Sequence, residues 1–166
     1  FWYCQELLKK YRHDERIMHI GGYPHPTENK RTDYSYFFSK YPHVWGWASW
    51  RRAWKYYDVN LTLWPKVKSL GLYYDMFNNK KEARYRETLW DRVYSNLVNT
   101  WAYQWLFAVR LQSGFSILPQ KNLIKNIGFG PKATHTKYSK AEKNNELSYE
   151  MKFPMRHPEF ILIDSI

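Results

Sequence analysis

Residues 100–118 read TWAYQWLFAVRLQSGFSIL, and this stretch decides the fold class. Thr100 is a good helix cap, and Trp101, Trp105, Ala108 and Val109 then recur at helical spacing, which predicts a helix from Trp101 to about Gln112. Gly114 suits its C-terminal stop. Phe115–Leu118 follows as a short strand before Pro119. Short strands mixed with helices in this way point to an α/β or α+β chain, and α/β is the class expected.

The same alternation continues outward. Upstream, Tyr85, Leu89, Val93 and Leu97 repeat every four residues, with Trp90 and Tyr94 widening the stripe, so 80–97 is the clearest helix. Pro65 opens a short helix at the first position, which tolerates it, and 49–57 reads as another. Residues 34–38 and 16–20 read as strands, the second closed by Gly21-Gly22. Cys4, Leu7, Leu8 and Tyr11 share one face of an opening helix that begins at Phe1 without a cap, which suggests a fragment. Downstream, 122–125 reads as a further short strand. Gly128, Gly130 and Pro131 mark a loop, 137–150 is polar without periodicity, and 160–163 is a last apolar stretch. The division expected is a main part, 1–136, and a polar tail with a short apolar end, 137–166. The strands are few for a complete sheet.

Composition bounds what such a chain does. It has 166 residues, a net charge of +11, and aromatic residues at 20%, including nine Trp and fifteen Tyr. Aromatic side chains in such number must pack or bind something. Apolar runs reach about five residues, whereas a membrane-spanning helix needs about 20. Glu6, Lys9 and Lys10 break any signal-type apolar core, and the single Cys4 excludes an internal disulfide framework and a cysteine-based zinc site. The positive charge suits nucleic acid, a nucleoside diphosphate, an anionic glycan or an acidic membrane surface. The basic residues are dispersed, with pairs at Arg51-Arg52 and Lys80-Lys81 but no longer block, which argues against nucleic acid.

Three stretches carry candidate chemistry. Trp45-Gly46-Trp47-Ala48-Ser49-Trp50 alternates indoles around a glycine. Indole faces suit the C–H faces of a sugar, and their N–H groups donate to hydroxyls, although Trp used for core bulk gives the same pattern. Thr100-Trp101-Ala102-Tyr103-Gln104-Trp105 opens a helix, where free backbone N–H groups attract anions, although the pattern alone favours an ordinary capped amphipathic helix. Residues 126–136 place Thr134, His135 and Thr136 beyond a glycine-rich turn, which suits a phosphate or a metal ligand, while an isolated histidine is more often structural. The remaining histidines have no metal-ligand spacing, and neither a phosphate-binding P-loop nor a nucleophile elbow is present.

Taken in order, Trp45–Tyr57 with Asp58, Thr100–Trp105 and Asn122–Thr136 resemble the C-terminal half of bacterial family-2-like nucleotide-diphospho-sugar glycosyltransferases of the GT-A fold, and more distantly the N-acetylglucosaminyltransferase I family. The resemblance implies a Rossmann-like sheet whose N-terminal, nucleotide-binding half would precede Phe1. It implies transfer of a sugar from a nucleotide-diphospho-sugar donor to a glycan or lipid-linked acceptor, with a divalent metal, Mn or Mg, held at an Asp-x-Asp element. It also implies a cytoplasmic location, at the inner face of the membrane. On it, Trp45, Gly46, Trp47 and Trp101 line the sugar or acceptor site, Thr134 and Thr136 touch phosphate, and His135 reaches the metal. Two departures stand out. No Asp-x-Asp occurs in the chain, and Ala102 replaces the Asp that serves the family as catalytic base. The isolated chain is therefore expected to be inactive, the alternatives being a degenerate glycan-binding homologue or a basic nucleic-acid-binding module.

Overall fold

The computed structural model describes residues 1–24, 32–125, 127 and 147–163. Helix α1 (Trp2–Lys10) leads into β1 (Ile17–Ile20), then β2 (Tyr36–Ser39), α2 (Arg51–Trp54), α3 (Trp64–Ser69), a 3-10 turn at Leu72–Met76, α4 (Lys80–Tyr94), α5 (Ala102–Leu111) and β3 (Phe115–Pro119). The fold is mixed α/β. Its sheet has the order β1-β3-β2, with β3 parallel to β1 and antiparallel to β2.

An irregularity in β1 between Ile17 and His19 sets the layers, putting Ile17 and Ile20 on one side of the sheet and Met18 and His19 on the other. Ile17, Ile20, Tyr36, Phe38 and Ile117 pack against Tyr3, Leu7 and Tyr11 of the α1 side. Met18 faces the opposite layer with Trp105, Ala108 and Val109 of α5. A third cluster joins α3, α4 and α5 around Trp64, Trp90 and Phe107, whose rings meet edge to face at 5.1 to 5.9 Å. The buried Trp90 indole N–H donates to the Tyr103 carbonyl at 3.0 Å, so its polar edge is satisfied.

Helix ends fall where backbone hydrogen bonds close them. The pattern predicts a helix to residue 97, but α4 stops at Tyr94 because Asn96 turns left-handed at φ 57°. Leu97 N then bonds Arg92 O and Asn96 N bonds Val93 O, a Schellman closure. α5 closes the same way, with Ser113, not Gly114, at positive φ. Gly114 answers a different need, since a Cβ there would run into the Met18 side chain. The helix expected over 49–57 shortens to Arg51–Trp54. Beyond it the bonds tighten to Tyr56 N–Ala53 O and Tyr57 N–Trp54 O, letting Tyr57 stack flat on Trp54.

Residues 122–125 are loop rather than strand. Leu123 N bonds Gly22 O, but the Asn122 side chain takes Ile124 N, so no ladder continues. Residues 147–163 run along the sheet. Ser35 N and Arg156 O bond at 2.8 Å, Phe38 and Ile163 form a parallel bridge, and Met155 is buried in the α1 layer. Among the described residues, no helix is long and apolar enough to cross a membrane.

Candidate functional site

Beyond the carboxyl ends of the parallel pair β1 and β3, three separate loops meet. Ile20 bridges Ala48, and Gly22 N donates to the Trp45 carbonyl at 3.1 Å, which holds the Trp45–Trp47 loop over the end of β1. Gly46 has φ 56°, and a Cβ on it would collide with Ile124; a Cβ on Gly22 would come within 2.6 Å of the same side chain. Glycine is therefore required at both places, by backbone conformation at one and by close approach at both. The start of the 122–136 stretch thus lies against the Trp-Gly-Trp turn. Thr134, His135 and Thr136 lie outside the described residues.

The third stretch joins through its indole. Trp47 stacks on Trp101 with centroids 5.1 Å apart and planes 24° off parallel. On the inner side Trp47 also stacks on His19, at 5.4 Å and 16°. Trp47 thus joins the surroundings of two candidate stretches, stacking both on the buried His19 and on Trp101, which is 41% exposed. Trp45 stands apart, half-buried, its ring 5.0 Å from Tyr23.

His19 is the residue that sequence spacing missed. Its side chain is wholly buried, and the Trp105 indole N–H donates to Nδ1 at 3.0 Å. An indole nitrogen only donates, so Nδ1 is bare and Nε2 carries the proton, which it donates to the His43 carbonyl at 2.9 Å. Burial pulls its pKa down to about 3, so the ring is neutral at ordinary pH and both nitrogens are committed. Trp54 was also missed. It is 40% exposed, lies flat on Tyr57 at 4.4 Å, and tilts against Trp47 and Trp105 at 5.8 and 5.1 Å. The spacing of Trp50 and Trp54, one helical turn, was the signal available.

The helix start at Trp101 supplies no acid. The N-cap position falls on Trp101, which makes no side-chain cap bond, rather than on Thr100, whose Oγ1 accepts from Ala102 N at 3.2 Å, and the Ala102 side chain has no proton acceptor. Asp58, at the end of the first matched stretch, is engaged in its own turn. Burial acts to raise its pKa, but bonds from the Thr62 side chain, Thr62 N and Asn60 N hold it below the usual range overall. Among the described residues, no three His, Cys, Asp or Glu side chains come close enough to hold a metal ion. Trp47, Ala48, Ser49, Trp50, Arg51 and Trp54 line an open cleft of about 450 Å³ beside the stack. No family model, no characterised protein and no solved structure matches the chain.

Proposed function

We propose that this chain forms the acceptor-side wall of a GT-A-type glycosyltransferase, one that moves a sugar from a nucleotide-diphospho-sugar to a glycan or lipid-linked acceptor. One observation carries the reading. The Trp45–Trp47 turn, the Trp101 indole and the Asn122–Lys125 loop, far apart in sequence, come together beyond the carboxyl ends of β1 and β3, with aromatic surface facing out. Ligands of open α/β sheets bind at that end, and a preorganised aromatic face suits a sugar ring. The divalent metal and His135 as its ligand belong to this proposal, as do phosphate contacts from Thr134 and Thr136.

The test asks for sugar binding rather than turnover. Neutral oligosaccharides titrated into the 166-residue chain should quench tryptophan fluorescence, and Trp101→Ala should weaken binding by about tenfold, the loss of one aromatic contact of about 1.4 kcal/mol. Trp101 is half-exposed at a helix start, so the variant should fold. Unchanged affinity in Trp101→Ala, or binding only to single-stranded oligonucleotides with steep salt dependence, overturns the reading.

Ala102 favours a second reading, a glycan-binding homologue without transfer. The two part in a transfer assay supplied with manganese, a UDP-, GDP- or CMP-sugar and an acceptor. Transfer by the wild type excludes the degenerate homologue, whereas transfer gained only on Ala102→Asp supports it.

A further inference from the structure

We infer that the cleft on the Trp54 side of the stack receives an acidic sugar, one bearing a carboxylate or a phosphate, with Arg51 reading the charge and Trp54 the ring. The inference rests on the carbohydrate reading above and names the substrate class for it.

Most cations near the cleft are already engaged. Arg52 donates from Nε to the Arg12 carbonyl and from Nη2 to the Tyr11 carbonyl, both at 2.9 Å, and its guanidinium lies 4.5 Å over the Trp50 ring. Lys55 lies over Tyr56 at 4.8 Å. Arg16 is clamped bidentately by Asp14 at 2.9 and 2.7 Å. Arg51 is different. It is exposed on the cleft wall, and among the described residues its guanidinium has no hydrogen bond, ion pair or ring contact. Among the described residues it is the one charged group lining the cleft, and no Asp or Glu lines it.

Its neighbours supply the rest of a sugar subsite. Arg51 and Trp54 stand at i and i+3 of α2, so their side chains share a face. Trp54 is braced by stacked Tyr57 and by tilted Trp105 and Trp47, which fixes its plane in advance of binding. Ser49 Oγ donates to the Met18 carbonyl at 2.7 Å, leaving its lone pairs to accept from a sugar hydroxyl. A planar guanidinium fork matches a carboxylate or phosphate with two parallel bonds, and such charge-assisted bonds are roughly twice as strong as neutral ones. A neutral sugar would use the indole and leave the fork idle. The net charge of +11 adds long-range attraction of the same sign.

Calorimetry and tryptophan fluorescence on the 166-residue chain test this with an oligoglucuronate, the matched neutral oligoglucoside and a hexose phosphate. The acidic glycan should bind about tenfold more tightly than the neutral one. Arg51→Gln should bring it down to the neutral level, Arg51→Lys should recover part of the preference, and Trp54→Ala should weaken every sugar. The tighter of the two acidic probes identifies carboxylate or phosphate as the charge read. Arg51 is exposed, so matched thermal unfolding is expected of its variants and serves as the fold control. Equal affinity for acidic and neutral glycans, or a preference that survives Arg51→Gln, overturns the inference and leaves the carbohydrate reading standing. No binding of any sugar overturns both, as does acidic binding that is indifferent to both Trp54→Ala and Trp101→Ala.

Discussion

At the scale of single residues, His19 controls most with least exposure. It supports Trp47 by stacking and satisfies both the Trp105 indole and the His43 carbonyl. His19→Phe keeps a flat ring under Trp47 but leaves the buried Trp105 indole N–H without its acceptor, at about 1–3 kcal/mol. The variant should be destabilised by at least that amount in urea unfolding at neutral pH. It should also lose a pH dependence. The folded His19 pKa lies near 3, below the ordinary value of about 6.5, so the unfolded chain takes up a proton that the folded chain refuses. Wild-type stability therefore falls as pH drops through that window, at about 1.4 kcal/mol per unit from this group. Between pH 6.5 and 5, above the range where carboxylates dominate, the slope should be shallower in His19→Phe. An unchanged slope would show that His19 is not what the acid attacks. Sequence alone did not reach this residue. Its decisive partner, Trp105, is 86 positions away, and nothing local about a histidine in a strand announces that contact.

At the scale of elements, the sequence located nearly every helix and strand but misplaced their ends. Apolar period three to four carries through Leu97, yet the chain leaves the helix at Asn96, because closing the last carbonyls outweighs one more amphipathic position. The strand expected over 122–125 is instead a loop, tied by Leu123 N to the Gly22 carbonyl and by the Asn122 carbonyl to Tyr149 N, and the Ile124 side chain anchors it against Gly46 and Gly22. That anchor is testable at Gly46. Gly46→Ala meets both a left-handed backbone, costing about 1–2 kcal/mol, and the body of Ile124. The expected result is a loss of stability of at least that amount. Hydrogen exchange should also speed up at Leu123 N and Gly22 N, the amides that tie the three loops together. Ile124→Ala in the same background should return part of the loss by opening space. No recovery in the double variant would place the strain in the backbone alone. The indole motifs were legible because Trp at short spacing around Gly is rare enough to notice. Which indole faces outward was not, since that depends on the stack built from both ends of the chain.

At the scale of the whole molecule, the described C-terminal segment closes the sheet through a hydrogen-bonded chain that crosses three elements. Tyr11 and Tyr36 hydroxyls meet at 2.7 Å, Tyr36 Oη and His157 Nδ1 at 2.9 Å, and His157 Nε2 and Glu6 Oε1 at 3.1 Å. With His157 neutral every link has a donor and an acceptor: Nε2–H donates to Glu6, Nδ1 accepts from Tyr36, and Tyr36 accepts from Tyr11. A second proton on Nδ1 removes the acceptor that Tyr36 needs. Desolvation, then the nearby Lys10 charge, hold the His157 pKa below its ordinary value in spite of Glu6. A depressed folded pKa means that the released segment binds the proton more readily than the docked one. Docking is accordingly strongest above the ordinary histidine pKa and weakens as pH falls through it towards the folded value. Cleavage within residues 147–163 by a protease active across this range should accelerate as pH drops from about 8 to about 5. His157→Gln retains a donor for Glu6 and an acceptor for Tyr36 but does not titrate, so it should flatten that profile while leaving cleavage slow. The direction of the effect separates this latch from simple attraction. Acid strengthens a histidine ion pair with Glu6 wherever the charge alone decides, and slower cleavage at low pH would assign the segment's docking to that pair instead of to the neutral chain.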